Sequence, residues 1–149
     1  MSIIGFNFTK ILVEKTGSPK GKINISNNIG IVDVKNAKIN LGESTNAGVR
    51  FAFAFSSEYD PKIGKISLEG EVIVMESKEV VDEILKSWKD KKAVPKDMMS
   101  AILNTVLNKC NIQALILSRD LNLPSPIPLP KVNVTTKPGK EEVGKKADK

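Results

Sequence analysis

The sequence predicts an α+β fold, a four-stranded antiparallel sheet followed by two helices packed on one of its faces. Two observations carry that prediction. Apolar residues recur at every second position as far as Met75, and from Ser77 onward they recur with the 3.6-residue period of a helix. The breaks between the early runs are built from Gly, Pro, Asn and Asp, the residues of turns. Strands gathered before helices, rather than alternating with them, describe α+β.

The first strand spans Ile3 to Val13, with Ile4, Phe6, Phe8 and Leu12 on one face and Gly5, Asn7 and Thr9 on the other. Thr16 to Gly21 forms a loop. Lys22 to Asn27 and Asn28 to Val34 follow as short runs, with Asn27-Asn28 as a turn or bulge between them, and Asn36 to Leu41 as an extension. After the polar loop Gly42 to Gly48, the stretch Arg50 to Ser56 shows the clearest alternation, Phe51, Phe53 and Phe55 against Ala52 and Ala54. Tyr59 to Gly64 is a hairpin connection. Lys65 to Met75 answers with Ile66, Leu68, Val72 and Val74 inward and Ser67, Glu69 and Glu71 outward. Apolar burial at about 25 cal/mol per Å² makes this hairpin the centre of the core.

Ser77 is placed to cap a helix whose stripe is Val80, Val81, Ile84, Leu85 and Trp88, and Lys89 to Lys92 suit its C-terminus. Pro95 fits the first turn of a second helix carrying Met98, Met99, Ile102, Leu103, Val106, Leu107, Cys110, Ala114 and Leu117 on one face. Ile112, Leu115 and Ile116 add apolar surface to its other faces. That end of a helix about 36 Å long calls for a second covering surface. In Leu121 to Pro130 the prolines at 124, 126, 128 and 130 alternate strictly, which holds an extended chain with Ser125, Ile127 and Leu129 to one side.

With 149 residues, 40% hydrophobic and 27% charged, the chain has the composition of one folded domain with a tail. We place the domain at residues 1–134, including the proline segment 121–134, and a basic disordered tail at 135–149. The absence of histidine and the single cysteine exclude imidazole-based nucleophile activation, most transition-metal sites and any intrachain disulfide. No Gly-rich phosphate loop, dinucleotide fingerprint or nucleophile elbow occurs. Glu69 and Glu71 share a strand face, but nothing apolar flanks them to tune an acid and a base, so they read as solvation of that face. The expectation is a non-enzyme without metal or cofactor. No window suits a signal peptide or a membrane span, so a cytoplasmic location is expected, and Cys110 reads as a buried free thiol.

The net charge of +6 concentrates at the ends, with four lysines against one acid in residues 1–30 and six against three in residues 131–149. Such ends suit either solvation or phosphate contact through Lys131, Lys137, Lys140, Lys145, Lys146 and Lys149. The three alternating phenylalanines read as core rather than as a stacking platform for bases, since few basic residues lie near them.

Four strands, a shorter helix, a long helix and then Leu123-Pro124, Pro128-Leu129-Pro130 and Val132-Asn133-Val134 before a polar tail: this order resembles the SecB preprotein chaperone family and its archaeal SecB-like relatives. The resemblance covers residues 3 to 134 as architecture. It implies a homo-oligomer, dimer or tetramer, whose grooves accept unfolded or nascent polypeptide in extended form. Met98, Met99, Ile112, Leu115, Ile116, Ile127 and Leu129 are the residues expected at a polypeptide or subunit interface. SecB proteins are acidic and this chain is basic, which separates the fold from the export pathway. The Lys- and Ile-rich composition has an archaeal look, and a ribosome-associated or rRNA-binding role through the basic ends is the alternative reading.

Overall fold

The computed structural model describes residues 2–18, 20–38, 46–130 and 132. Four strands, β1 (Ser2–Lys15), β2 (Asn24–Ala37), β3 (Asn46–Asp60) and β4 (Gly64–Ser77), are followed by α1 (Lys78–Lys91) and α2 (Lys96–Asp120). The strands form one antiparallel sheet in the order β1-β4-β3-β2. It is a β2-β3-β4 meander whose last strand takes β1 on its free side. The β1–β2 connection therefore has to cross the end of the sheet. It is held there by the β3–β4 turn, where the backbone N–H groups of Thr16 and Gly17 donate to the Ile63 carbonyl at 2.8 and 3.1 Å. The Thr16 hydroxyl donates to the Lys62 carbonyl at 2.7 Å.

Register puts the alternating residues of β3 and β4 on a common inner face. Val49 pairs with Val74, Phe51 with Val72 and Phe55 with Leu68, all of them fully buried. Both helices lie over this face. α1 contributes Val81 and Ile84, and α2 contributes Ile102, Val106, Cys110 and Ala114, to the same core cluster. The α2 positions recur every four residues, the spacing of one helix face. The strands are as long as the helix, about 45 Å at some 3.3 Å per residue against about 37 Å for α2. The length of α2 therefore needs no second subunit to explain it.

The outer face is polar, with Arg50, Ala52, Ala54 and Glu58 from β3 beside Lys65, Ser67, Glu69 and Glu71 from β4. Lys10 pairs with Glu69 at 3.6 Å and Arg50 with Glu71 at 3.3 Å across strands, as solvated ion pairs. Glu69 and Glu71 thus have separate cationic partners on an open surface, which fits their reading as solvating residues.

Local alternation misleads in the edge strands. β1 has irregularities between Ile3 and Gly5 and between Phe8 and Lys10. Phe6 and Phe8 face inward as predicted, but after the second irregularity Ile11 and Val13 pair with Leu68 and Ile66, and Leu12 is turned out opposite Ser67. A bulge adds one residue and so resets the two-residue period. β2 is a single strand, with Asn27 and Asn28 in regular register opposite Ser57 and Ser56, and its bulge falls instead between Ile31 and Asp33. β3 begins at Asn46 and so takes in the end of the predicted Gly42–Gly48 loop. Ser77 stands at the N-cap of α1, but its side chain makes no capping bond.

After α2 the chain crosses the sheet as a strap without regular secondary structure, which bends at Pro126 and Ile127, where the Ser125 hydroxyl bonds the Ile127 backbone, rather than running extended throughout. Leu123 N–H donates to the Ser118 carbonyl at 2.8 Å, and Leu123 is buried against the core. The Tyr59 hydroxyl donates to the Pro124 carbonyl at 2.6 Å, and Asn27 Nδ2 donates to the Pro126 carbonyl at 2.8 Å. Ser57 Oγ in turn donates to Asn27 Oδ1 at 2.5 Å and fixes that amide. The alternating prolines cover part of the sheet through acceptor carbonyls, the one backbone group that proline retains.

Candidate functional site

Helix coverage of the inner face is uneven. On β4, Val74, Val72, Leu68 and Ile66 are completely buried. Their register partners on β1 are Ile3, Phe6, Ile11 and Val13, and of these Ile3 is 36% and Ile11 47% exposed while Phe6 and Val13 are half-buried. The roof of the sheet therefore stops short of β1. An apolar strip runs along this edge strand, whose outward N–H and C=O groups have no strand partner among the described residues.

The strip is anchored by three rings. Phe6 stacks on Phe53 at 5.3 Å between centroids, and Phe8 meets Phe6 and Phe53 edge-on at 5.0 and 6.1 Å. These are the offset and T-shaped arrangements that aromatic quadrupoles favour. Gly70 makes room for them. It lies in register between Phe8 and Phe53, and a Cβ there would run into the Phe53 ring and the Asn7 carbonyl. The ammonium of Lys109, reaching down from α2, stands 5.4 Å from the Phe6 ring centre.

Lys109 thus brings one flank of α2 alongside the strip. Three and seven residues further on, Ile112 and Ile116 continue that flank and are 62% and 41% exposed. The surface joins the apolar inner face of β1 and its open strand edge to α2 at Lys109. It can bury apolar side chains of an extended segment while pairing with its backbone.

Of the residues expected at an interface, Ile112 and Ile116 are exposed on α2, three and seven residues after Lys109. Leu115 is half-buried on α2, Met98 and Met99 are half-buried in its first turns, and Met98 packs against the core. Ile127 and the exposed Leu129 belong to the strap, which is tied to β2 and β3 rather than to β1. The lysines proposed for phosphate contact, Lys131, Lys137, Lys140, Lys145, Lys146 and Lys149, lie outside the described residues, as does the tail 135–149. Phe51, Phe53 and Phe55 are core residues.

Sequence reasoning missed Ile11, Lys109 and Gly70. Gly70 carried a signal, since it interrupts the inward series Leu68, Val72, Val74 opposite a phenylalanine, and an in-phase glycine in a strand marks close approach. Ile11 was hidden by the bulge before it.

Elsewhere, an open cleft of about 440 Å³ at the β3–β4 turn brings Glu14, Glu58 and Asp60 together with Lys62 and Lys65. No group of three or more metal-ligating side chains occurs among the described residues. Cys110 is buried in the core, and burial pushes its thiol up to about 12, so it remains a protonated packing group at neutral pH. No helix among the described residues is long and apolar enough to cross a membrane.

The chain matches no protein-family model, and no curated protein is similar to it. Among solved structures, the SecB-like chaperone Rv1957 of Mycobacterium tuberculosis, determined in complex with a ChAD peptide from the Rv1956 HigA1 antitoxin, is similar in fold at 10% identity. That similarity covers 92% of this chain and 91% of the other, with a TM-score of 0.49.

Proposed function

We propose that this chain is a non-enzymatic polypeptide-binding module that holds unfolded or nascent segments in extended form, in the manner of a chaperone. One observation carries the reading. The inner face of β1 is as apolar as that of β4 and shares its register, yet Ile3 and Ile11 stay open to solvent, and Ile112 and Ile116 are exposed on α2, the helix whose Lys109 reaches Phe6 of β1. Exposed apolar surface next to an unpaired strand edge is unfavourable in water unless something covers it intermittently. An extended chain satisfies both needs, with its side chains on the strip and its backbone on the edge. The architecture read from the sequence, with its resemblance to the SecB family, supports the same mode.

The test is suppression of aggregation. A denatured reporter protein is diluted into buffer with the wild-type chain or with Ile11→Lys and Ile112→Lys combined, and light scattering is followed. The expected result is suppression by the wild type and its loss in the variant at unchanged helix and strand content. A wild-type chain that leaves scattering unchanged overturns the reading. Homo-oligomerisation through the same strip is the competing occupant, and native mass with and without bound peptide separates the two.

A further inference from the structure

We infer that the β1–α2 strip selects extended apolar segments that carry a carboxylate, and that Lys109 is the residue that recognises it. This inference rests on the polypeptide-binding reading above and adds the chemical class of the segment.

The argument is one of charge placement. Along β1 from Ile3 to Val13 the only charged side chain is Lys10, and along α2 from Met98 to Ser118 the only one is Lys109. On these spans the strip itself therefore carries one cation, Lys109, and no acid. Lys10 is engaged by Glu69 on the opposite face of the sheet. Lys109 has no carboxylate partner among the described residues, and the ring of Phe6 is the contact its ammonium makes. It stands beside the Phe6, Phe8 and Phe53 cluster and one turn before Ile112.

A segment lying on the strip brings its own side chains against Phe6, Phe8 and Ile11. A Glu or Asp among them meets an ammonium already held over an aromatic face, at the margin of an apolar surface where water is partly excluded. A Lys or Arg at the same place meets a like charge.

Three synthetic ten-residue peptides of alternating Leu and Thr, differing only in a central Glu, Gln or Lys and labelled with a fluorophore, are titrated with the full chain at low salt. The Glu peptide is expected to bind about three-fold tighter than the Gln peptide, the worth of one half-exposed ion pair, and the Lys peptide weaker than both. In Lys109→Met, which keeps the length and apolar stem of the side chain, the three affinities converge. In 1 M NaCl the wild-type preference fades, because the screening length falls to about 3 Å.

Equal binding of the Glu and Gln peptides by the wild type overturns this inference and leaves the polypeptide-binding reading standing. An order that survives Lys109→Met overturns it as well. No binding of any peptide overturns both. Displacement of the Glu peptide by an oligonucleotide of equal length at equal concentration also overturns it, since the strip would then be answering to negative charge alone.

Discussion

Gly70 lies against the ring of Phe53 at a register position where a single added methyl group would strike both that ring and the Asn7 carbonyl of the neighbouring strand. The aromatic cluster of the strip depends on this missing side chain. Gly70→Ala should therefore destabilise the fold by about 1–3 kcal/mol, the usual cost of overpacking, despite the better strand propensity of alanine. Urea denaturation measures it. Adding Phe53→Leu should recover part of the loss, and a strictly additive double variant would show that the collision is not with the ring.

The strap makes a second, independent prediction. Tyr59→Phe removes one hydrogen bond and leaves the Pro124 carbonyl without its donor, at a cost of about 1 kcal/mol. Ending the chain at Leu121 removes the buried Leu123 and Pro126 and takes away the carbonyl acceptors of the Tyr59 hydroxyl and of Asn27 Nδ2. That truncation should lower the melting temperature by more than about 5 °C. An unchanged melting curve would show that the strap is not part of the cooperative unit.

The core and the order of elements were legible in the sequence because their signals are periodic. Phe51, Phe53 and Phe55 against Leu68, Val72 and Val74 read correctly, since β3 and β4 pair without irregularity. The candidate surface was half legible. Ile112 and Ile116 stand out on a helix that already has a full apolar face, whereas Ile11 depends on a bulge and Lys109 on which strand happens to lie beneath it. The neighbours of β1 are set by long-range pairing with β4, some sixty residues away, and no local pattern encodes that choice. The donors that fix the strap, Asn27 and Tyr59, likewise meet their partners only in the folded chain, at separations of 99 and 65 residues.

Alkaline pH should weaken the fold through two buried groups. Burial pushes the Tyr59 phenol from 10.0 and the Cys110 thiol from 9.0 up to about 12. Both acids keep their protons in the folded state while the unfolded chain releases them, so between about pH 9 and 12 the unfolded state binds fewer protons and stability falls as pH rises. Below about pH 8 neither group contributes a slope. Urea midpoints across this range should decline less steeply in Tyr59→Phe and in Cys110→Ala than in the wild type, and least in the double variant. Parallel curves for all four proteins would show that neither group is protected from ionisation by the fold.

Ile11 and Leu68 offer the sharpest contrast, because they are register partners on the same face of adjacent strands, one 47% exposed and the other completely buried. Leu68→Ala should cost about 2–5 kcal/mol by leaving a cavity under the helices. Ile11→Ser should stay within about 1 kcal/mol, because that side chain already faces water over much of its surface and sits on an edge strand. Peptide binding should respond in the opposite sense, with Ile11→Ser weakening it at nearly unchanged stability. If Ile11→Ser proves as destabilising as Leu68→Ala, then β1 is covered in solution, and the strip is a structural interface rather than a surface held open for a passing chain.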